Sequence, residues 1–146
     1  MGMILREAEV VYKGKRIEAS RKISSSRDAA QILKEWGLHD KAQECFVVLY
    51  LNAKHQCLAV QMVGLGTLTA TLVHPREVFR GAILAGAQAV IVAHNHPSGN
   101  TTPSPDDLDL TNRLKAAGDL IGIPVLDHLI VSLFEGYNSL AESGQI

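Results

Sequence analysis

Hydrophobic and polar residues follow one another along the chain in blocks that predict strands and helices in turn. The continuous apolar runs at 45–52 and 89–95 are typical of strands buried on both faces, and 124–131 predicts a last strand. Apolar residues at helical spacing, with Ser, Pro or Gly at the ends, predict helices near 24–36, 75–86 and 107–118. This order predicts an α/β fold, a mixed β-sheet flanked by helices.

Three weaker segments predict further strands. Residues 7–19 are interpreted as a short hairpin that turns at Lys13-Gly14. The segment CLAVQMVG, 57–64, follows a turn and is expected to pair antiparallel with the strand at 45–52. TLTATLV, 67–73, is a third candidate.

The composition predicts one compact domain. The chain has 146 residues, of which 47% are hydrophobic and 20% are charged, so it can bury a sizeable core. We expect a single domain over residues 1–146, with an N-terminal hairpin extension at 1–23 and a core at 24–146.

Charge, hydropathy and cysteine usage narrow the class of protein. A net charge of -1 does not provide the basic stripe typical of a dedicated nucleic-acid binder. No apolar run approaches the roughly 20 residues of a membrane span, and the charged N-terminus does not resemble a signal peptide, so we expect a cytoplasmic protein without membrane contact. Cys45 and Cys57 lie in strand-like segments and are interpreted as small hydrophobic residues.

The segment AHNHPSGNTTPSPDDLDLT carries the candidate chemistry. His94 and His96 are two positions apart at a strand end, so their side chains point to the same face. Asp107 follows eleven residues after the second histidine, near the start of a helix that Ser104 can cap and Pro105 can open. Two imidazoles and one carboxylate leave a fourth position for water, which is how catalytic zinc is usually held.

A purely structural interpretation fits the same residues. Ser104 followed by Asp107 matches a capping box, and carboxylates in a first helical turn favour the helix dipole without any metal. The two histidines could make ordinary hydrogen bonds at a strand end. The conjunction of two histidines, a Pro-Ser-Gly turn and a capped acidic helix favours the metal site.

The motif resembles the JAMM (JAB/MPN) metalloprotease superfamily, whose pattern is His-x-His, seven residues, Ser, two residues and Asp. His94, His96, Ser104 and Asp107 match that spacing without a gap. Together with VHPRE, HNHPSGN and GIPVLDH, the chain is similar to the RadC-like branch over roughly residues 24–144. The resemblance implies a three-layer, cytidine-deaminase-like sandwich and a Zn²⁺-dependent metallopeptidase or isopeptidase, with His94, His96 and Asp107 as the zinc ligands.

The resemblance also implies a general base and an oxyanion donor. A glutamate at the start of an early strand has the first role in the family, and Glu44 stands at that place; Ser104 would hold the water or the oxyanion. In the wider superfamily the glutamate precedes a glycine-containing strand, whereas ECFVVLYLN has no glycine. Glu77 in HPREVF is the rival base, and its alternative role is an exposed helix acid.

Two adjacent polar residues near the end of the chain have no motif assignment. Asp127 and His128 lie in the predicted last strand. They are either a pair that supports the metal ligands from behind or a polar couple at a sheet end.

Three functions follow from these observations. A zinc-dependent hydrolase would act on a peptide or protein substrate, conjugates with a protein modifier included. A DNA-associated module, either a nuclease or a repair factor, is the second; RadC-like proteins resemble DNA-repair factors by name and by an N-terminal helix-hairpin-helix segment for which this chain has no room, which weakens a DNA role. DNA association stays open as an alternative, although the net charge of -1 does not support it. The third is a scaffold that binds a protein without cutting it. The oligomeric state stays open.

Overall fold

The structure is a computed structural model that describes residues 1–9, 11–14, 18–66, 73–134 and 136–146. Three α-helices and five strands lie in this part of the chain. In chain order they are α1 (Ser26–Trp36), β1 (Cys45–Leu51), β2 (Cys57–Leu65), α2 (Pro75–Leu84), β3 (Ala89–Asn95), α3 (Pro105–Ile121), β4 (Val125–Ser132) and β5 (Gly136–Ser139).

The five strands form one mixed sheet in the order β2-β1-β3-β4-β5. β1 runs antiparallel to both of its neighbours, β3 and β4 are parallel, and β5 returns antiparallel to β4. The first residues of β1 therefore lie at the same end of the sheet as the last residues of β3 and β4. The predicted mixed sheet is confirmed, as is the antiparallel pairing of the first two strands.

Helices cover both faces of this sheet, which makes three layers. Alternate residues of β1 point to opposite faces, because side chains in a strand alternate with period two. Cys45, Val47, Leu49 and Leu51 pack with buried residues of α1 in one apolar cluster. Phe46, Val48 and Tyr50 pack with buried residues of α2 and α3 in the other. The predicted α/β sandwich is confirmed.

Local sequence accounts for where the helices begin and end. Gly37 ends α1 in the left-handed conformation, with φ 106°, which glycine adopts without a side-chain penalty. His74 caps α2 by accepting a hydrogen bond from the Arg76 N–H. At α3, Ser104 and Asp107 form a reciprocal capping box, as the spacing predicted.

Some strand predictions differ from the structure. The strand that contains 124–131 is not the last, because β5 follows it and pairs with it. The described residues of the predicted hairpin, 7–9, 11–14 and 18–19, form no strand, and its remaining residues lie outside the described ranges. The candidate strand at 67–73 falls outside them as well, apart from Val73. Among the described residues, no helix is long and apolar enough to cross a membrane.

Candidate metal centre

The end of β3 brings two imidazoles together on the face covered by α2 and α3. The Nε2 atoms of His94 and His96 are 2.9 Å apart. His94 is almost completely buried, and the Phe46 ring stacks on its imidazole with centroids 6.0 Å apart. His96 is held from its other nitrogen, since Nδ1 lies 2.7 Å from the carbonyl oxygen of Asn100. Both rings therefore present Nε2 to one point.

Asp107 faces the same point from the first turn of α3. Its Oδ1 is 3.2 Å from Nε2 of His94, and its Oδ2 is 3.3 Å from Nε2 of His96. Oδ2 also accepts the backbone N–H of Ser104 at 2.8 Å, while the Asp107 N–H donates to the Ser104 hydroxyl. Capping and ligation were alternatives in the sequence, but the geometry allows this carboxylate to do both.

The separations of these three donor atoms suit a small divalent cation. Zinc binds imidazole nitrogen at about 2.0–2.1 Å and carboxylate oxygen at about 2.0–2.2 Å, so tetrahedral ligand atoms lie about 3.3 Å apart. The observed separations are 2.9, 3.2 and 3.3 Å. The donor set of two nitrogens and one oxygen is also one that zinc takes in catalytic sites. His94, His96 and Asp107 thus fit the ion that the resemblance implies.

Glu44 completes the group from the start of β1. Phe46 pairs with His94 in the antiparallel β1–β3 ladder, so the same register continued places Glu44 opposite His96. Ligand atoms of Glu44, His94 and His96 all lie within 4.8 Å of one another, an arrangement that could hold a metal ion. Glu44 is half-buried, so its carboxylate borders both the site and solvent.

The segment that carries Glu44 is fixed by Asn95, the residue between the two histidines. Asn95 points to the opposite face of the sheet, where its Oδ1 accepts the Cys45 N–H at 2.6 Å. Its Nδ2 donates to the carbonyl oxygens of Lys41 and Gln43, each at 3.0 Å. No sequence motif assigns Asn95 a role; its only signal in the sequence is a polar residue between two candidate ligands at the end of an apolar run.

Electrostatics at the site favour a carboxylate and basic imidazoles. Burial opposes the charge on Asp107, but its contacts with the His94 and His96 rings outweigh burial and hold the pKa of Asp107 far below its usual range. The hydrogen bond with Asp107 raises the pKa of His96, against the smaller effect of burial. A carboxylate held in its charged form beside imidazole nitrogens that can offer lone pairs favours the binding of a cation.

Ser104, the candidate oxyanion donor, lies at the site, whereas Glu77, the rival general base, does not belong to it. The hydroxyl of Ser104 accepts a hydrogen bond from the Asp107 N–H at 3.1 Å, which uses a lone pair and leaves the hydroxyl proton to donate elsewhere. Glu77, the rival base, instead pairs its carboxylate with Arg80 at 2.7 Å and Arg76 at 3.6 Å on the surface of α2. The group that could hold a metal includes Glu44 and not Glu77.

Asp127 and His128 do not act as a pair. Nε2 of His128 lies 2.8 Å from Nδ1 of His94, directly behind the candidate ligand. Asp127 points to the opposite face and accepts hydrogen bonds from Ser139 and from the backbone of Ala141 and His128. His128 thus contacts a residue of the site, whereas Asp127 stabilises the fold around β4 and β5.

Known proteins share this domain. The family model described as a RadC-like JAB domain matches residues 23–145. A UPF0758 protein of Staphylococcus haemolyticus is 47% identical over 123 residues, which cover 84% of this chain and 53% of that protein. A UPF0758 protein of Symbiobacterium thermophilum is 58% identical over 101 residues, 69% of this chain and 43% of that protein. One of Shouchella clausii is 41% identical over 136 residues, 90% of this chain and 59% of that protein.

These matches agree with the motif and with the geometry. The chain spans about half the length of the curated relatives it matches. The matched range includes Glu44, both histidines, Ser104 and Asp107. On the strength of a family match that covers most of the chain, this protein belongs to the RadC-like JAB domains of the JAB/MPN superfamily.

Proposed function

We propose that this chain is a zinc-dependent hydrolase of peptide or isopeptide bonds. The observation that carries the proposal is the convergence of His94, His96 and Asp107 on one point, with Glu44 beside it. Membership of the JAB family, which often includes hydrolases, supports the same reaction class. Three protein ligands leave one position for water or substrate, as catalytic zinc requires.

In the proposed reaction, Glu44 transfers the proton and Ser104 stabilises the developing negative charge. Zinc in such a site is a Lewis acid that acidifies water and polarises a carbonyl group. Glu44 takes a proton from the attacking water, whose oxygen forms a bond to the carbonyl carbon. Glu44 then delivers that proton to the leaving nitrogen as the carbon–nitrogen bond breaks. The Ser104 hydroxyl, whose proton is available to donate, stabilises the negative charge that develops on the carbonyl oxygen.

The direct experiment joins metal content to hydrolysis. The metal is measured by elemental analysis in protein purified without chelator or metal-affinity tag, beside His96→Ala and Glu44→Gln. Hydrolysis is followed with an internally quenched peptide library and with isopeptide-linked lysine peptides. We expect about one zinc per chain in wild type and in Glu44→Gln, and little in His96→Ala. Glu44→Gln is expected to slow cleavage by about 100- to 10,000-fold.

Each other outcome has a distinct meaning. Iron in place of zinc contradicts the assigned metal, since two histidines and a carboxylate also bind Fe(II) in oxygenases. Cleavage by Glu44→Gln at the wild-type rate contradicts the assigned base. Zinc with no hydrolysis of either substrate class replaces the hydrolase with a protein-binding scaffold.

A further inference from the structure

A chain of buried hydrogen bonds runs behind the candidate metal centre. Nδ1 of His94 lies 2.8 Å from Nε2 of His128. Nδ1 of His128 lies 2.6 Å from the hydroxyl oxygen of Thr111, which donates to the carbonyl oxygen of Asp107 at 2.6 Å. This series of hydrogen bonds begins at one candidate ligand, His94, and ends at another, Asp107, so it links β3, β4 and α3.

The direction of the protons follows from the last bond. A threonine hydroxyl has one proton, and the carbonyl oxygen of Asp107 can only accept. The Thr111 proton therefore points to Asp107, and the hydroxyl oxygen must accept from its other neighbour. His128 thus carries its proton on Nδ1 and donates it to Thr111.

This direction sets the protonation of the next ring. His128 has no solvent exposure, and a buried charged imidazole without a carboxylate in contact would be costly. A neutral ring with its proton on Nδ1 has a bare Nε2, which accepts from Nδ1 of His94. The proton of His94 is thereby held on Nδ1, and its Nε2 lone pair faces Asp107 and His96.

We propose that His128 and Thr111 are positioning residues that hold His94 in the tautomer and ring orientation needed to bind a metal ion. A histidine with its proton on Nε2 cannot offer that nitrogen to a cation. Ligating histidines usually donate their second ring N–H to a carboxylate, a carbonyl oxygen or water. Here a second histidine takes that place, itself oriented by a hydroxyl group.

Packing holds the two rings in this arrangement. Phe46 stacks on His94 at an interplanar angle of 14° and meets His128 edge-on at 74°. Thr111 is fully buried on α3 one turn after Asp107. Movement of either ring would break a hydrogen bond that water cannot replace, so the site is organised before an ion arrives.

The inference rests on the metal site of the proposed function but not on hydrolysis, so its experiment uses no substrate. The tautomers of His94 and His128 are read in the metal-free chain at pH 8 from the ¹⁵N shifts of the imidazoles. Zinc affinity is measured by competition with a chromophoric chelator in wild type, Thr111→Val and Thr111→Ser. Valine matches the shape of threonine without the hydroxyl, and serine retains the hydroxyl.

We expect both histidines to carry the proton on Nδ1 in wild type. Thr111→Val should bind zinc about 10- to 100-fold more weakly, as is typical when a group behind a ligand is lost, and Thr111→Ser should recover most of that loss. His94 protonated on Nε2 in the metal-free wild type would overturn the proposal. So would a Thr111→Val variant that folds and binds zinc as tightly as wild type.

The results that contradict the proposed hydrolase differ from those that contradict the role of His128 and Thr111. If the chain cleaves no peptide, the tautomers and the order of zinc affinities still decide this inference. If wild type binds no zinc, the tautomer of His94 decides it alone.

Discussion

Buried polar residues make different contacts on the two faces of the sheet, near the end where β1 starts and β3 stops. On the face covered by α2 and α3, His94 and Asp107 direct their side chains at each other and at His96. On the face covered by α1, Asn95 and Asp127 use their side chains largely on backbone N–H and C=O groups. Polar groups that satisfy the backbone stabilise a fold, whereas polar groups that converge on one another leave room for a ligand.

The pKa directions of the two buried aspartates express this difference. Burial opposes the charge on Asp107, but contacts with the His94 and His96 rings outweigh it and lower the pKa of Asp107. Burial has the larger effect on Asp127 and raises its pKa, although Ser139 and two backbone N–H groups bond to it. The first site is therefore suited to a negative charge, and the second tolerates one.

An aspartate-to-asparagine substitution on each face of the sheet should give the largest difference in zinc affinity. We expect Asp107→Asn to weaken zinc binding by about 1,000-fold, above the roughly 10- to 100-fold typical of groups that only support a ligand. Asp127→Asn should leave zinc affinity unchanged and cost little stability, because an amide oxygen still accepts backbone bonds and the charge is no longer buried. Chelator competition and thermal melting measure the two effects. Equal losses of zinc affinity would contradict the division between the faces.

Removal of Asn95 tests the face that stabilises the fold. Asn95→Ala leaves the Cys45 N–H and the carbonyl oxygens of Lys41 and Gln43 without their partner, so we expect a loss of about 2–3 kcal/mol in the free energy of unfolding. Urea unfolding of the metal-free chain measures it.

A second asparagine provides the matched control for that experiment. Asn138 donates one hydrogen bond, 3.2 Å long, to the carbonyl oxygen of Thr101. Asn138→Ala should therefore cost only about 1 kcal/mol. If both variants unfold alike, Asn95 does not anchor the segment that carries Glu44. The proposed hydrolysis should slow in Asn95→Ala and not in Asn138→Ala.

The smallest expected effect is the pH dependence of the metal-free chain. The pKa of His96 is raised by its hydrogen bond with Asp107, so protonated His96 stabilises the folded chain below the ordinary histidine pKa, about 6.5. That contribution is lost as the pH rises through the raised pKa. We expect less than about 1 kcal/mol, because the ring is partly exposed and solvent screens the pair.

A variant isolates this contribution from other titrations. Urea unfolding at pH 6 and pH 8 is compared between wild type and His96→Ala in the absence of metal. Wild type should lose more stability than the variant between the two pH values. A larger loss in His96→Ala would reverse the sign and contradict the pairing of His96 with Asp107.

Much of the candidate site was predictable because its determinants are local. His94 and His96 share a face because strand side chains alternate, and Ser104 and Asp107 lie within one helical turn. The role of Asn95 was not predictable, since the three groups it bonds lie about fifty residues away along the chain. The last strand was assigned wrongly because β5 is only four residues long and its sequence, GYNS, lacks an apolar pattern.

By itself the sequence determined the family motif, the alternation of helices and strands, and the directions of the two histidines, all of which depend on short-range spacing. Tertiary structure decided which distant residues meet them. Antiparallel pairing of β1 with β3 places Glu44 opposite His96. In the parallel β3–β4 ladder, a register shift skips Leu126, so that His128 rather than Asp127 faces the site. A one-residue shift exchanges the two faces of a strand, and no local pattern specifies where it occurs.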